Sequence, residues 1–268
     1  MKIKSPYLVQ PHEKVRLSRI PADDTGSYED KVEAAADLER QRQKLGRLQE
    51  LLTAEGKNAV LVVLQGMDTA GKDGTIQHIF TGVNPQACNV TAFKVPTPQE
   101  LRHDFLWRVH RAVPGFGTIG IFNRSHYEDV LVTRVHKAIS DQVANQRFEQ
   151  IVAFEESLAE NKITILKFFL HITREEQTRR LGERLADPTK RWKISPADFA
   201  ERPFWPAYQK AYEDAIRHTS RRNAPWFIIP SNHKWYRNVA ISKIMVDTMD
   251  GLKMKYPKPT FDPSQIKL

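Results

Sequence analysis

The sequence holds a single cysteine, Cys88. One cysteine excludes an intrachain disulfide and any zinc site built from several thiolates. It fits a reducing compartment, and Cys88 itself reads as a small buried residue. No apolar run approaches the ~20 residues that a membrane span needs. Residues 1–20 carry scattered charges and no apolar stretch of a secretory signal, so a cytoplasmic protein with no membrane partner is expected. Zinc-finger spacing, an RNP signature and a basic region followed by heptads are all missing, which removes the dedicated nucleic-acid readers. There is no internal repeat and no low-complexity segment.

Positive charge is what the chain has in excess. Its 41 lysines and arginines against 32 acids leave a formal net charge of +9, and the pI is near 9.6. Such a surface implies an anionic partner. Charge alone does not separate nucleic acid from a long phosphate chain. With 268 residues, 40% of them hydrophobic, the chain can bury a sizeable core and reads as one globular domain over 1–268.

The pattern along the chain alternates between the two periods. Residues 1–27 are polar and contain proline, as an extended arm wrapped on the body would. Val32, Ala35, Leu38, Leu45, Leu48, Leu51 and Leu52 are spaced for one face of a helix over 28–55, and Gly56 stops it. Arm and helix together make an N-terminal segment over 1–56. Strands are expected at 59–64, 90–93, 119–122, 163–172 and 226–229. The run Thr97-Pro98-Gln99-Glu100 is a capping box that opens a helix reaching toward Pro114. Further helices are expected at 143–159, after the capping box Thr173-Arg174-Glu175-Glu176, and at 235–254. Ala224-Pro225-Trp226 sets a turn and an anchor. Alternating strand and helix predicts an α/β fold, a parallel sheet with helices on both faces, with ligands bound at the carboxyl ends of the strands.

The most informative stretch is Gln65-Gly66-Met67-Asp68-Thr69-Ala70-Gly71-Lys72-Asp73-Gly74. A buried strand precedes it and a helix follows, which is the context of a phosphate-binding P-loop. Glycines let the backbone curl so that several N–H groups point at one anion, and the helix start and Lys72 add positive charge. Ala70, Gly71, Lys72, Asp73 and Gly74 are therefore assigned to phosphate binding. Asp73 stands where a Ser or Thr is usual, and Asp68 lies inside the loop. Two acids beside a polyanion repel it unless a divalent cation lies between them, so Asp68 is expected to ligate Mg²⁺.

A second cluster runs Phe122-Asn123-Arg124-Ser125-His126-Tyr127-Glu128-Asp129. Arg124 at the strand tip is placed to grip phosphoryl oxygens. A helix starting near Ser125 would turn Glu128 and Asp129 toward the P-loop cleft. His126 reads as a packed, hydrogen-bonded ring. A third cluster places six cations between Arg179 and Lys193: Arg179, Arg180, Arg184, Lys190, Arg191 and Lys193. At this point in a kinase-like order, about residues 175–205, it predicts a helical lid that closes over phosphates. Lys94, Arg102, Arg108 and Arg111 surround the second strand, and Lys94 and Arg108 are assigned to a channel for a long anion. Trp107, Trp192 and Trp205 read as packing residues.

Together these three clusters resemble the polyphosphate kinase 2 family, over about residue 5 to the C-terminus. The resemblance implies a three-layer P-loop kinase fold similar to thymidylate kinase, and Mg²⁺-dependent phosphoryl transfer between inorganic polyphosphate and nucleotides. It implies that Lys72 contacts the transferring phosphoryl group, that Asp68 holds Mg²⁺, and that Arg124 and the lid residue Arg184 stabilise charge. Asn123, Arg124, Glu128, Arg184, Lys190 and Lys193 would face the nucleotide. Subgroups restricted to diphosphates carry Asp where this chain has Asn123. The Asn123 and Glu128-Asp129 version is similar to the subgroup, often called class III, that phosphorylates AMP as well as ADP. The second metal ligand stays open among Asp129, Glu128 and water. Adenine nucleotides are the expected acceptors, other purines stay open, and a homo-oligomer, dimer or tetramer, is expected from the resemblance. An ATP-dependent nucleoside or nucleotide kinase and a non-catalytic polyanion binder are the alternatives.

Overall fold

The computed structural model describes residues 4–262 and 266. Strand β2 (Ala59–Gln65) is buried at all seven positions, because both of its faces are covered. Val60, Val62 and Leu64 pack on one side with Leu45 and Leu52 of helix α1 (Lys31–Glu55). Leu61 and Val63 belong to the core on the other side, with Phe148 and Ile151. A strand apolar on both faces belongs in the middle of a three-layer sandwich.

Around β2 lie β3 (Cys88–Ala92), β4 (Ile119–Asn123), β5 (Ile163–His171) and β6 (Trp226–Pro230), all parallel, as expected. The arm departs from that pattern. Its residues Leu8–Val9 form β1, which pairs antiparallel with β6. Sheet order is β1-β6-β5-β2-β4-β3. The chain therefore leaves β2 to one side for β3 and β4 and to the other for β5 and β6. That reversal opens a crevice at the carboxyl end of β2, where α/β sheets bind ligands.

After β2 the helices are α2 (Lys72–Ile79), the single turns α3 (Trp107–His110) and α4 (Val132–Val135), α5 (Asp141–Glu160) and α6 (Arg174–Ala186). Then follow α7 (Pro196–Ala200), α8 (Trp205–Thr219) and α9 (Lys234–Asp250). α5 and α6 are capped by Ser140 and Thr173, whose hydroxyls accept from Val143 N and Glu176 N.

Three expectations are corrected. In α1, Val32 is 69% exposed and Ala35 is also exposed. The inward positions are Ala34 and Asp37, and Asp37 takes a hydrogen bond from Tyr28 and an ion pair from Lys243 of α9 at 2.9 Å. A polar anchor thus replaces the apolar stripe at that end. The capping box at Thr97 does form, with Thr97 N to Glu100 Oε2 at 2.7 Å and Glu100 N to Thr97 Oγ1 at 3.2 Å. Only a 3₁₀ turn, Glu100–Arg102, follows it. Asp104 Oδ1 then accepts from Leu106 N at 3.0 Å, a local bond that competes with helix continuation. Trp192 is 78% exposed rather than packed. Cys88 is half-buried, and burial pushes its thiol up to about 11, which leaves it unreactive.

Candidate active site

The P-loop is built by strand and helix together. Gly66 and Gly71 have φ of 152° and 104°. At Gly71 a Cβ would lie 1.9 Å from Arg237 Nη1, so only glycine fits. Thr69, at φ 65°, also adopts the left-handed conformation that a non-glycine residue rarely takes. α2 starts at once, at Lys72. Its ammonium donates to Gly66 O at 2.7 Å, and burial, with Arg124 nearby, pushes its pKa down to about 8.

β4 brings in the second cluster at the same level. The ladder pairs Leu64 with Asn123, and Arg124 N continues it by donating to Leu64 O at 3.0 Å. Arg124 has φ 61°. This strained tip turns its guanidinium over the P-loop, where Nη2 donates to Asp68 Oδ1 at 2.9 Å. Asn123 Nδ2 donates to Asp73 Oδ1 at 2.6 Å. Sequence reasoning read Asp68, Lys72 and Asp73 in one cluster and Asn123 and Arg124 in a second, and the fold brings the two together.

Glu128 and Asp129 part company. The turn after Ser125 is a 3₁₀ helix, His126–Val130, capped by the Ser125 hydroxyl. Successive residues point about 120° apart at three residues per turn. Glu128 reaches Arg124 at 3.5 Å, and burial lifts its pKa against the pull of Arg124 and Lys72. Asp129 instead meets Arg108 at 3.4 Å. Its charged neighbours are Arg108, Arg147 and His126 rather than P-loop residues, a departure from the expectation that it faces the P-loop cleft. Arg108 is buried, bound to Asp129 and to Lys94 O at 2.8 Å, so it is committed inside the protein rather than free to line a channel. Lys94 is exposed.

The cations of the segment expected to form a lid also divide. Arg184 donates to Lys193 O at 3.3 Å, and Lys190 pairs with Asp187 at 2.5 Å. Lys193 lies over the Trp192 ring at 5.1 Å. These three engage the segment itself. The members of α6 that do reach the P-loop are Gln177, which donates to Asp68 O at 3.2 Å, and Arg180. Arg180 Nη1 donates to Thr69 O at 2.8 Å and Ala70 O at 3.0 Å. Arg237 of α9 binds Ala70 O as well, at 3.1 Å. Sequence reasoning missed Arg237. The available signal was a charge embedded among Tyr236, Val239, Ala240 and Ile241, all buried in α9.

Among the described residues, no group of three or more acids, histidines or cysteines converges as a protein-only metal cage would require. Asp68 and Asp73 supply carboxylate oxygens beside the loop amides. That donor set fits a hard cation held by one or two carboxylates and otherwise by phosphate oxygens and water, which is the usual manner of Mg²⁺.

A sequence profile of the family described as Polyphosphate kinase 2 (PPK2) matches residues 28–257. The chain belongs to the polyphosphate kinase 2 family. The match spans the P-loop, the Arg124 cluster and the basic segment after β5, and leaves the arm outside. Within the family, the chain is 53% identical to the AMP/ADP-polyphosphate phosphotransferase of Meiothermus ruber, over 94% of this chain and 95% of that one. It is 42% identical to the ADP-polyphosphate phosphotransferase of Rhodopseudomonas palustris, over 97% and 94%. The crystal structure of polyphosphate kinase 2 from Arthrobacter aurescens superposes with a TM-score of 0.94 at 41% identity, covering 98% of this chain and 95% of that one.

Proposed function

We propose that this chain transfers a phosphoryl group from inorganic polyphosphate to AMP and ADP, giving ADP and ATP, with Mg²⁺ and reversibly. The observation that carries the reading is the near-full-length similarity to the Meiothermus ruber AMP/ADP-polyphosphate phosphotransferase. The geometry supplies a mechanism for it. Lys72 and the amides of Ala70 to Gly74 seat the terminal phosphoryl group of polyphosphate. Arg124, which grips Asp68 and Glu128, is free to exchange those carboxylates for phosphoryl oxygens. A nucleotide phosphate oxygen attacks the terminal phosphorus, the P–O anhydride bond breaks, and polyphosphate leaves one unit shorter. The nucleophile is already ionised, so no general base is required, and alignment with charge neutralisation does the catalysis. Mg²⁺, when bound beside Asp68, supplies neutralisation of phosphate charge. Arg184, Lys190 and Lys193 reach the nucleotide only when the lid closes, which exchanges their contacts within the lid for phosphate. Lys94 and the exposed basic surface guide the rest of the polyphosphate chain. The protein works in the cytoplasm as a homo-oligomer, acting on no nucleic acid.

A coupled luminescence assay for ATP, with AMP and Mg²⁺ and with or without polyphosphate, tests the reading. ATP that appears only with polyphosphate supports it. ATP from ADP but not from AMP would keep the donor and remove the monophosphate acceptor. No polyphosphate-dependent ATP from either acceptor would overturn it. Asp68→Asn is expected to shift the Mg²⁺ titration to concentrations higher by roughly tenfold or more, the effect of losing one charged ligand. An unchanged titration would remove Asp68 from the metal site.

A further inference from the structure

The carbonyl groups from Gly66 to Ala70 are all hydrogen-bonded to side chains. Lys72 Nζ lies on Gly66 O and Met67 O, Gln177 holds Asp68 O, Arg180 holds Thr69 O and Ala70 O, and Arg237 also holds Ala70 O. A peptide whose oxygen is held in one direction presents its N–H in the other. Gln177, Arg180 and Arg237, from two helices, thus brace the carbonyls of Asp68, Thr69 and Ala70 and turn the amides that follow toward the crevice, where an anion would sit.

Arg237 differs from the other buried cations in its charge balance. The buried cations among the described residues are Arg108, Lys167, Arg180 and Arg237. Arg108 has Asp129, Lys167 has Glu155, and Arg180 has Glu176 at 2.6 Å. Arg237, 1% exposed, has no carboxylate within ion-pair range among the described residues. Its partners are Ala70 O and Asn238 Oδ1, the latter at 3.1 and 2.8 Å. Its charged neighbour is another cation, Arg180, and together with burial that neighbour lowers the guanidinium to about 9, still cationic at neutral pH. A buried charge without a counter-charge is strongly disfavoured, so a place for it argues that its complement arrives from outside. The place is directly behind Gly71, whose missing Cβ admits the guanidinium.

We propose that Arg237 is a positioning residue of the phosphate site, holding the Ala70 carbonyl from behind while its unpaired buried charge is balanced by the polyphosphate anion seated on the front of the loop. The inference rests on the phosphoryl-transfer reading above. It assigns a role in donor binding to a residue of the last helix that touches no substrate.

The test compares wild type with Arg237→Gln and Arg237→Lys. Tripolyphosphate binding is measured by calorimetry, KM for polyphosphate and kcat by steady-state assay, and Tm with and without tripolyphosphate. Glutamine removes the charge and, being shorter, keeps a donor only at the place of Nε, toward Asn238 Oδ1. It is expected to raise Kd and KM for polyphosphate by about tenfold or more, as loss of one charge-assisted interaction does. The change in kcat should be smaller. Tm of the free protein is expected to hold or rise, because an uncompensated buried charge is gone, while the rise in Tm on adding tripolyphosphate shrinks. Lysine keeps the charge and should restore Kd to within about threefold of wild type. Unchanged Kd and KM in folded Arg237→Gln, with only Tm lowered, would overturn the proposal and leave a structural brace. A folded Arg237→Lys as weak as Arg237→Gln would overturn it too, and remains decisive if the glutamine variant does not fold. Failure of wild type to bind or use polyphosphate would instead strike the proposed function.

Discussion

Replacing Lys72 with methionine is expected to lower kcat by about 10³-fold or more and to leave the fold intact, because the loss of a preorganised charge at the transferring group is felt in the transition state. Methionine keeps the apolar stem. What disappears is the ammonium, which in the free protein rests on Gly66 O and Met67 O and is placed to exchange these carbonyls for phosphate oxygens. Gln177, Arg180 and Arg237 still hold the loop, so Tm should move little. Steady-state kinetics together with a melting curve check both halves. A folded Lys72→Met variant with normal turnover would remove Lys72 from the mechanism. The same residue sets a pH dependence. Burial and Arg124 place its pKa at about 8 in the free protein. The cation is the form that binds phosphate, so kcat/KM for polyphosphate should decline as pH rises through about 8. Bound polyanion favours the charged form, so kcat should hold to higher pH than kcat/KM.

Glu155→Gln is expected to lower Tm by an amount on the order of 10 °C, the consequence of leaving a buried lysine without its acid, about 3–5 kcal/mol. Lys167 is fully buried, with Nζ 2.5 Å from Glu155 Oε2 and 2.8 Å from Thr219 O. Glu155 Oε1 also takes the Tyr127 hydroxyl at 2.9 Å and faces His126 Nε2 at 3.2 Å. Burial alone would raise the Glu155 pKa, but Lys167 and His126 outweigh it and hold it below its ordinary value. A carboxylate depressed in the folded state adds stability above its unfolded pKa and loses it as pH falls through the folded value. The difference in Tm between wild type and Glu155→Gln should therefore be full at neutral pH and narrow in acid, below about pH 4. The double replacement Glu155→Leu with Lys167→Met, which removes both charges, should recover most of the loss. A double variant no more stable than the single one would mean that the deficit comes from packing. Because His126 and Tyr127 begin the turn that carries Glu128, Glu155→Gln should lower kcat as well.

The core of this site was legible because its signals are local. A buried strand, a glycine loop and Lys72 occur within about 15 residues, and Arg124 follows a second strand of the same kind. Parallel pairing then brings the two loops together, as Leu64 opposite Asn123 shows. The P-loop kinase class follows from the same alternation of elements. What stayed hidden depends on facing across elements. Asp129 and Glu128 are neighbours in sequence, and only the 3₁₀ geometry of their turn sends one to Arg108 and the other to Arg124. Arg180 and Arg184 looked alike in a run of cations. One helical turn decides that the first binds the P-loop carbonyls and the second Lys193 O beyond the end of α6. Arg237 lies 167 residues from Ala70 and was marked only by its apolar surroundings. The antiparallel β1 was hidden for a different reason, since two residues show no period.

That two-residue strand has a consequence beyond topology. A parallel sheet ends in two edges, each a row of unpaired backbone donors and acceptors that can recruit a strand from another chain. At the β6 edge, Ile228 N gives its hydrogen to Tyr7 O at 2.9 Å, and the arm is held by Ser220 Oγ on Val9 O and by Leu17 N on Glu213. The arm is thus a stopper on one end of the sheet. Among the described residues no strand pairs with the outer edge of β3, where Asn89, Val90 and Ala92 are exposed. The molecule's sheet therefore has two unlike ends. Losing the arm would give it a second adhesive edge, and a chain with two such edges can polymerise where a chain with one can only pair.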